Sequence, residues 1–360
     1  VKVYRHYPIA GYPSDIAKIV SDDGYGKNEY IQTSRSLVVV TAPGPGSGKM
    51  ATCLSQLYHD HKRGIKSGYA KFETFPIWNL PLSHPVNIAY EAATADLADV
   101  NMIDPYHLDA YGVTTVNYNR DVEIYPVLSA MFKKISGECP YKSPTDMGVN
   151  MAGNCIFDDD AVREAAKDEI IRRYYEALCN VRKGASDDSA AQKIELLMNT
   201  AGISVEDRPV ATAANKKAAD TEAPAAAVEL PDGKIVTGKT SKLLGATSAM
   251  LLNALKELAG IDDSVDLISH EVLEPVQSLK IDVLGNHNPR LHTDELLVAL
   301  SICSVSDPNA KAAMDQLGKL HHCDVHSSVI LSQVDINVLK KLGLNVTCEP
   351  VYQTKKLFHR

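Results

Sequence analysis

With 45 acidic against 37 basic residues, this 360-residue chain carries a net charge of −8, which disfavours nucleic acid and anionic membrane surfaces as partners. Its length exceeds one typical domain, so two or three are expected, and 45% hydrophobic content suffices for sizeable cores. No apolar run nears the ~20 residues needed to span a bilayer.

The chain opens at Val1 without an initiator Met, in Lys2-Val3-Tyr4-Arg5-His6-Tyr7, which reads as a strand. Residues are therefore expected upstream. Turn-forming Pro8, Gly11, Pro13 and Asp22-Asp23-Gly24-Tyr25-Gly26 follow. Next, Leu37-Val38-Val39-Val40 reads as a buried strand, because β-branched runs suit a sheet covered on both faces. It leads into Thr41-Ala42-Pro43-Gly44-Pro45-Gly46-Ser47-Gly48-Lys49 and then a helix marked by Leu54, Leu57 and Tyr58.

Strand, glycine-rich loop, lysine and helix form the layout of a P-loop. Glycines let backbone N–H groups turn in on an anion, and the lysine neutralises it. Gly44, Gly46, Ser47, Gly48, Lys49 and Thr52 are the expected phosphate-binding residues. The match to G-x-x-x-x-G-K-[ST] is imperfect. Pro43 stands where the first Gly belongs, and Met50 replaces the magnesium-binding hydroxyl. The loop is thus better suited to an anion cradle than to NTP hydrolysis, which normally needs the metal clamp. A better formal match, Gly233 to Thr240, is the poorer site. Its interior Ile235-Val236-Thr237 favours a strand, with Gly238 then leading into a helix.

Gly68 to Phe75 reads as the next strand, completing a βαβ unit and placing Lys71 and Glu73 near a ligand-binding rim. A helix is expected from about Val86 to before Pro105, with Asp96, Asp99, Asn101 and Asp104 around it. Polar stretches at 117–123 and 143–150 suit binding loops. Over 158–202 an αα-hairpin is expected, with Val162, Ala166, Ile170, Tyr174 and Leu178 as one apolar stripe. Residues 205–230 are Ala-rich and read as a mobile connection or weak helix. Beyond them come helices ended by Gly260, bent at Pro275, and over 294–303 and 308–317, then a strand, a helix at 333–342 and a strand at 344–348.

The expected fold is α/β: a P-loop-like layered part (1–157), a helical hairpin with its Ala-rich connection (158–230) and a smaller C-terminal α/β part (231–360). Seven scattered cysteines with no C-x-x-C pair argue for a reducing cytoplasm. His270-Glu271-Val272-Leu273-Glu274 lacks the second His of a zinc protease, and the donor-rich run from His321 to His326 reads as a surface turn.

The stretches Thr41 to Lys49, Ala70 to Pro81, His84 to Asp96 and Tyr141 to Asn150, with Leu230 to Ser241, resemble an uncharacterised family of bacterial cytoplasmic proteins. It is of the UPF type, classed as a domain of unknown function. Members run longer at the N-terminus, and some are labelled "ATP-dependent peptidase". The resemblance covers the whole chain, implies three structural parts and supplies no catalytic residues. The expected function is binding of a phosphorylated small molecule, ATP or another nucleotide, with or without Mg²⁺. Phosphoryl transfer or NTP hydrolysis is one extension, with Lys49, Glu73, Asp96 and Asp146 as catalytic candidates. A non-catalytic regulatory or scaffold protein, forming a homo-oligomer through its hairpin, is the alternative; a metallopeptidase is the remote one.

Overall fold

The computed structural model describes residues 1–44, 46–72 and 76–353. The chain is mixed α/β and divides into two units, Val1–Ala166 and Lys167–Arg360.

The first unit contains α1 (Ile16–Ile19), α2 (Lys49–Lys62), β1 (Lys71–Phe72), α3 (Pro85–Ala93), β2 (Asn101–Ile103), α4 (Pro105–Tyr111), β3 (Val116–Tyr118), α5 (Asn119–Ser136), α6 (Pro144–Met147) and β4 (Gly148–Val149). Its core forms where amphipathic stripes meet. Leu54, Leu57 and Tyr58 of α2 face Tyr125, Leu128, Met131 and Phe132 of α5, joined by Ile19, Tyr25 and Met147. Strands are short and paired only in twos. β1 runs parallel to β4, and β2 antiparallel to β3.

The sheet differs from expectation. Leu37–Val40 is not a strand, and β1 takes β4 as its partner instead. Leu37 and Val39 are 81% and 77% exposed, while Val38 and Val40 are 50% and 37% exposed. A strand needs a neighbouring backbone to pair with. Among the described residues, no backbone hydrogen bond is made by residues 37–40. The strand expected ahead of the glycine-rich segment is therefore absent, and α2 follows that segment. Residues 1–7 are likewise extended without being a strand, held by the Glu29 N–H donating to the Arg5 carbonyl at 3.0 Å. The helix from Val86 is shorter than expected, ending at Ala93.

α7 (Asp159–Lys183) begins in the first unit and continues into the second. With α8 (Ser189–Ala201) it gives the expected pair of helices. The buried face of α7 departs from the every-fourth-residue stripe. Ala166 and Ile170 are buried, but then Ile171, Tyr175 and Cys179 take over from Tyr174 and Leu178. At 3.6 residues per turn these positions do not share one line along the helix, so the buried face winds around α7 between Ala166 and Cys179.

The second unit continues with α9 (Pro209–Thr221), β5 (Ala225–Glu229), β6 (Ile235–Lys239), α10 (Ala246–Ala259), α11 (His270–Ser278), α12 (Thr293–Cys303), α13 (Pro308–Met314), β7 (Asp324–Ser327), α14 (Gln333–Lys341) and β8 (Asn345–Cys348). One sheet has the order β6-β5-β7-β8, with β7 and β8 parallel across α14 and the other pairs antiparallel.

Residues 205–230 thus hold the helix that was one of the two expectations for them, and not a mobile connection. They supply α9 and the interior strand β5, whose hairpin with β6 crosses the division expected after residue 230. Alanine is used here as a packing residue. Ala226 faces Met250, Leu251 and Ala254 of α10, whereas Ala227 faces Val210 and Ala214 of α9. Small side chains on both faces let helices approach the strand closely. Gly238, expected to lead into a helix, lies within β6 opposite Ala226. A Cβ added there would sit 2.0 Å from the Met250 nitrogen, so only glycine fits.

An ion pair joins the starts of α12 and α14. His292 Nδ1 lies 3.0 Å from Asp335 Oδ2, and Asp335 Oδ1 accepts from Thr293 N–H and Oγ1, both at 2.9 Å. The hydrogen bond to Asp335 raises the pKa of His292 despite burial. Burial opposes ionisation of Asp335, but hydrogen bonds from His292, Thr293 and Ser332 hold it below its ordinary value. The Asp335 contribution is present above its unfolded value and lost as pH falls through the lowered folded one. The His292 contribution is complete below its unfolded value and lost as pH rises through the raised folded one. The pair therefore stabilises most between about pH 4 and 6.5. His292→Gln should lower the urea midpoint more at pH 5.5 than at pH 8.5; an equal loss at both would remove the ion pair from the account.

Among the described residues, no helix is long and apolar enough to cross a membrane.

Candidate functional site

The glycine loop stands at the surface of the first unit. Gly46 and Gly48 adopt φ of +71° and +86°, and Gly48 is the N-cap of α2. Glycine has no side chain with which to cap the helix, and no side-chain cap is made. Ser47 Oγ donates to the Gly44 carbonyl at 2.5 Å, and Lys49 Nζ donates to the same oxygen at 3.0 Å. The loop is thereby drawn together at Gly44, with the lysine ammonium held beside the helix start. Among the described residues, nothing lies within 4 Å of a Cβ position at Gly44, Gly46 or Gly48, so the space beside these glycines is open to them. Thr52 N–H donates to the Gly48 carbonyl at 2.9 Å, as the first α-helical bond. Met50 packs against the apolar cluster of the unit.

The other expected site residues are elsewhere. Asp96 is exposed on a short 3-10 turn, Ala95–Leu97. Asp146 accepts from Tyr111 Oη at 2.9 Å and from Lys142 N–H at 2.8 Å, with His107 Nδ1 at 3.7 Å. Those contacts give it a structural task. Among the described residues, neither carboxylate has a hydrogen bond or ion pair with residues 44–52. Glu73 lies outside the described residues.

A second polar constellation, which sequence reasoning noticed only in pieces, fills the junction of α4, α6 and β3. Asp104 is fully buried. Its Oδ1 caps α4 by accepting from Tyr106 and His107 N–H, both at 3.0 Å. Its Oδ2 accepts from Thr145 N–H at 3.1 Å and Thr145 Oγ1 at 2.6 Å. Thr115 Oγ1 stands 3.2 Å from Thr145 Oγ1, and His107 Nδ1 stands 2.8 Å from Ser143 Oγ. Nearby, Lys71 forms a largely buried ion pair with Asp121. Burial pushes the neighbouring Tyr118 phenol above its ordinary range. A narrow crevice among Trp78, Asn117, Asp121 and Thr145 reaches this junction. The one signal in the sequence was Asp104 before Pro105, an N-cap followed by proline at the first helical turn.

Among the described residues, no group of three or more His, Cys, Asp or Glu converges as a metal site. The donor-rich run at 321–326 is a surface turn only in part: His321 and His322 are exposed, but His326 is buried inside β7 against Thr347.

The fold and loop define a two-unit α/β protein with a surface glycine loop ahead of a helix. The chain belongs to the DUF1846 family. The description "Domain of unknown function DUF1846, N-terminal" matches residues 1–202, and "Domain of unknown function DUF1846, C-terminal" matches residues 206–358. A UPF0371 protein of Corynebacterium efficiens is 59% identical over 360 residues, covering 100% of this chain and 73% of that protein. A UPF0371 protein of Streptococcus thermophilus is 60% identical over 357 residues, covering 99% of this chain and 72% of its own length. That of Corynebacterium glutamicum is 59% identical over 360 residues, covering 100% and 73%.

Proposed function

We propose that the glycine loop and the first turn of α2 bind the phosphate of a nucleotide or another phosphorylated small molecule. The observation that carries this reading is the uncapped start of a 14-residue helix with Lys49 Nζ held at its mouth. Its first N–H groups have no partner within the helix, and an anion would satisfy them. The magnesium-binding hydroxyl is replaced by Met50, whose side chain is turned to the core. Binding without magnesium is thus favoured over phosphoryl transfer or NTP hydrolysis, and a regulatory or scaffold role suits it. A cytoplasmic setting, and assembly into a homo-oligomer through the α7–α8 pair, complete the proposal. The net charge of −8 makes nucleic acid an unsuitable partner.

Thermal shift with ATP, ADP and inorganic phosphate, with and without Mg²⁺, tests this. A ligand at 100 times its Kd adds about 2.7 kcal/mol. Lys49→Ala, at an exposed position, should fold normally and lose the shift to its phosphorylated ligand. Identical shifts in the variant for every ligand would overturn the phosphate reading.

A further inference from the structure

Two of the seven cysteines meet inside the second unit. Cys179 on α7 and Cys348 at the end of β8 are 4% and 8% exposed. Their Sγ atoms stand 3.7 Å apart across 169 residues of sequence. Cys179 Sγ is also 3.3 Å from the Cys348 carbonyl oxygen. A disulfide needs an S–S separation of about 2.0 Å, so the thiols are less than two ångströms from bonding.

The contact also makes the two thiols unequal. Cys179 has its pKa raised, first by the hydrogen bond with Cys348 and then by burial. Cys348 is lowered, chiefly by the hydrogen bond with Cys179 and then, against burial, by the Leu331 backbone and Lys183. A thiolate is the nucleophile in sulfur chemistry, so Cys348 is the attacking group and Cys179 the resolving one.

We propose that Cys179 and Cys348 are a reversible oxidation site, closed to a disulfide by hydrogen peroxide and reopened by thiol reductants. The Cys348 thiolate attacks one peroxide oxygen, the O–O bond breaks, and the departing hydroxide takes the released proton as water. Cys348 is then a sulfenic acid. The Cys179 sulfur attacks the Cys348 sulfur, the S–O bond breaks, and the hydroxide leaves with the Cys179 proton as a second water. Two thiols are oxidised and one peroxide is reduced. The bond ties α7 directly to β8.

The protein is treated with hydrogen peroxide, alkylated in denaturant and mapped by mass spectrometry without reduction. The expected result is a peptide pair linked through Cys179 and Cys348 in most molecules, lost again after dithiothreitol. Exposed Cys155 serves as the accessible reference thiol. Cys179→Ser should abolish the link and leave a sulfenic acid at Cys348 that dimedone traps. If Cys179 and Cys348 both stay free to alkylate after Cys155 has been oxidised, the proposal is wrong. Coupling of either to a different cysteine would also overturn it. Mapping of the wild-type protein decides the matter even if the serine variant does not fold.

Discussion

Arg208→Ala is expected to lower the unfolding free energy by about 3–5 kcal/mol, the cost of breaking a buried ion pair from one side. Arg208 is 1% exposed, among the most buried large side chains of the protein. It caps nothing with its side chain, although it precedes Pro209 at the start of α9. Instead its guanidinium crosses to the two parallel strands. Nε donates to Thr347 Oγ1 at 3.1 Å. Nη2 donates to Asp324 Oδ1 at 3.1 Å and to the carbonyls of Asn345 at 2.9 Å and Val325 at 3.4 Å. One planar group thus joins α9, β7 and β8, which no lysine could do with the same geometry. Removing it takes a donor from the Asp324 carboxylate and the Asn345 carbonyl, while Thr347 Oγ1 keeps His326 Nδ1 and the Val325 carbonyl. Asp324→Asn should cost less, because Asp324 is partly solvated and the carbonyl contacts survive. Urea unfolding followed by circular dichroism measures both. A loss under 1 kcal/mol for Arg208→Ala would show that the sheet closes without it.

Asp104→Ala should destabilise the first unit by about 2–4 kcal/mol. Loss of an N-cap accounts for about 1 kcal/mol of that. The remainder comes from leaving the Thr145 N–H buried without an acceptor, about 1–3 kcal/mol. Asp104→Asn keeps an oxygen for the α4 cap but turns a donor toward Thr145, so an intermediate loss is expected. Trp78, the single tryptophan, stands with its ring 6.1 Å from that of His107, the residue capped by Asp104. Its fluorescence therefore reads the junction directly. If both variants unfold at the wild-type midpoint, Asp104 does not hold α4 to α6.

Helices in the second unit were readable from the sequence because they carry local signals. Gly260 ends α10, Asp307-Pro308 opens α13, and Gly343 follows α14. Strand pairing is not local: the strands expected at 235–237 and 344–348 form as β6 and β8, but two other segments depart from expectation. Leu37–Val40 has the composition of a core strand, yet a strand exists only where another backbone meets it. Ala225–Ala227 has the composition of a linker, yet it is the middle of a sheet. Composition reports what a segment can bury and says nothing of what will lie against it. At the candidate site the same contrast holds. The glycine loop is one contiguous motif and could be read directly. The Asp104 junction draws on residues 104, 107, 115, 143 and 145, which only the fold brings together. Asp96 and Asp146 have suitable chemistry, but sequence carries no distance, and among the described residues neither bonds to the loop.

The alanines of β5 also determine which mutagenesis can be informative in the second unit. Alanine scanning finds core positions by removing volume, and it passes over Ala225, Ala226 and Ala227 because nothing remains to remove. All three are fully buried. Their contribution is space withheld, which only enlargement exposes: Ala→Val or Ala→Leu in a tight core typically costs about 1–3 kcal/mol. Sensitivity at the centre of this sheet therefore runs opposite to that of an ordinary aliphatic core, and a scan that only trims side chains would map the surroundings and leave the middle blank.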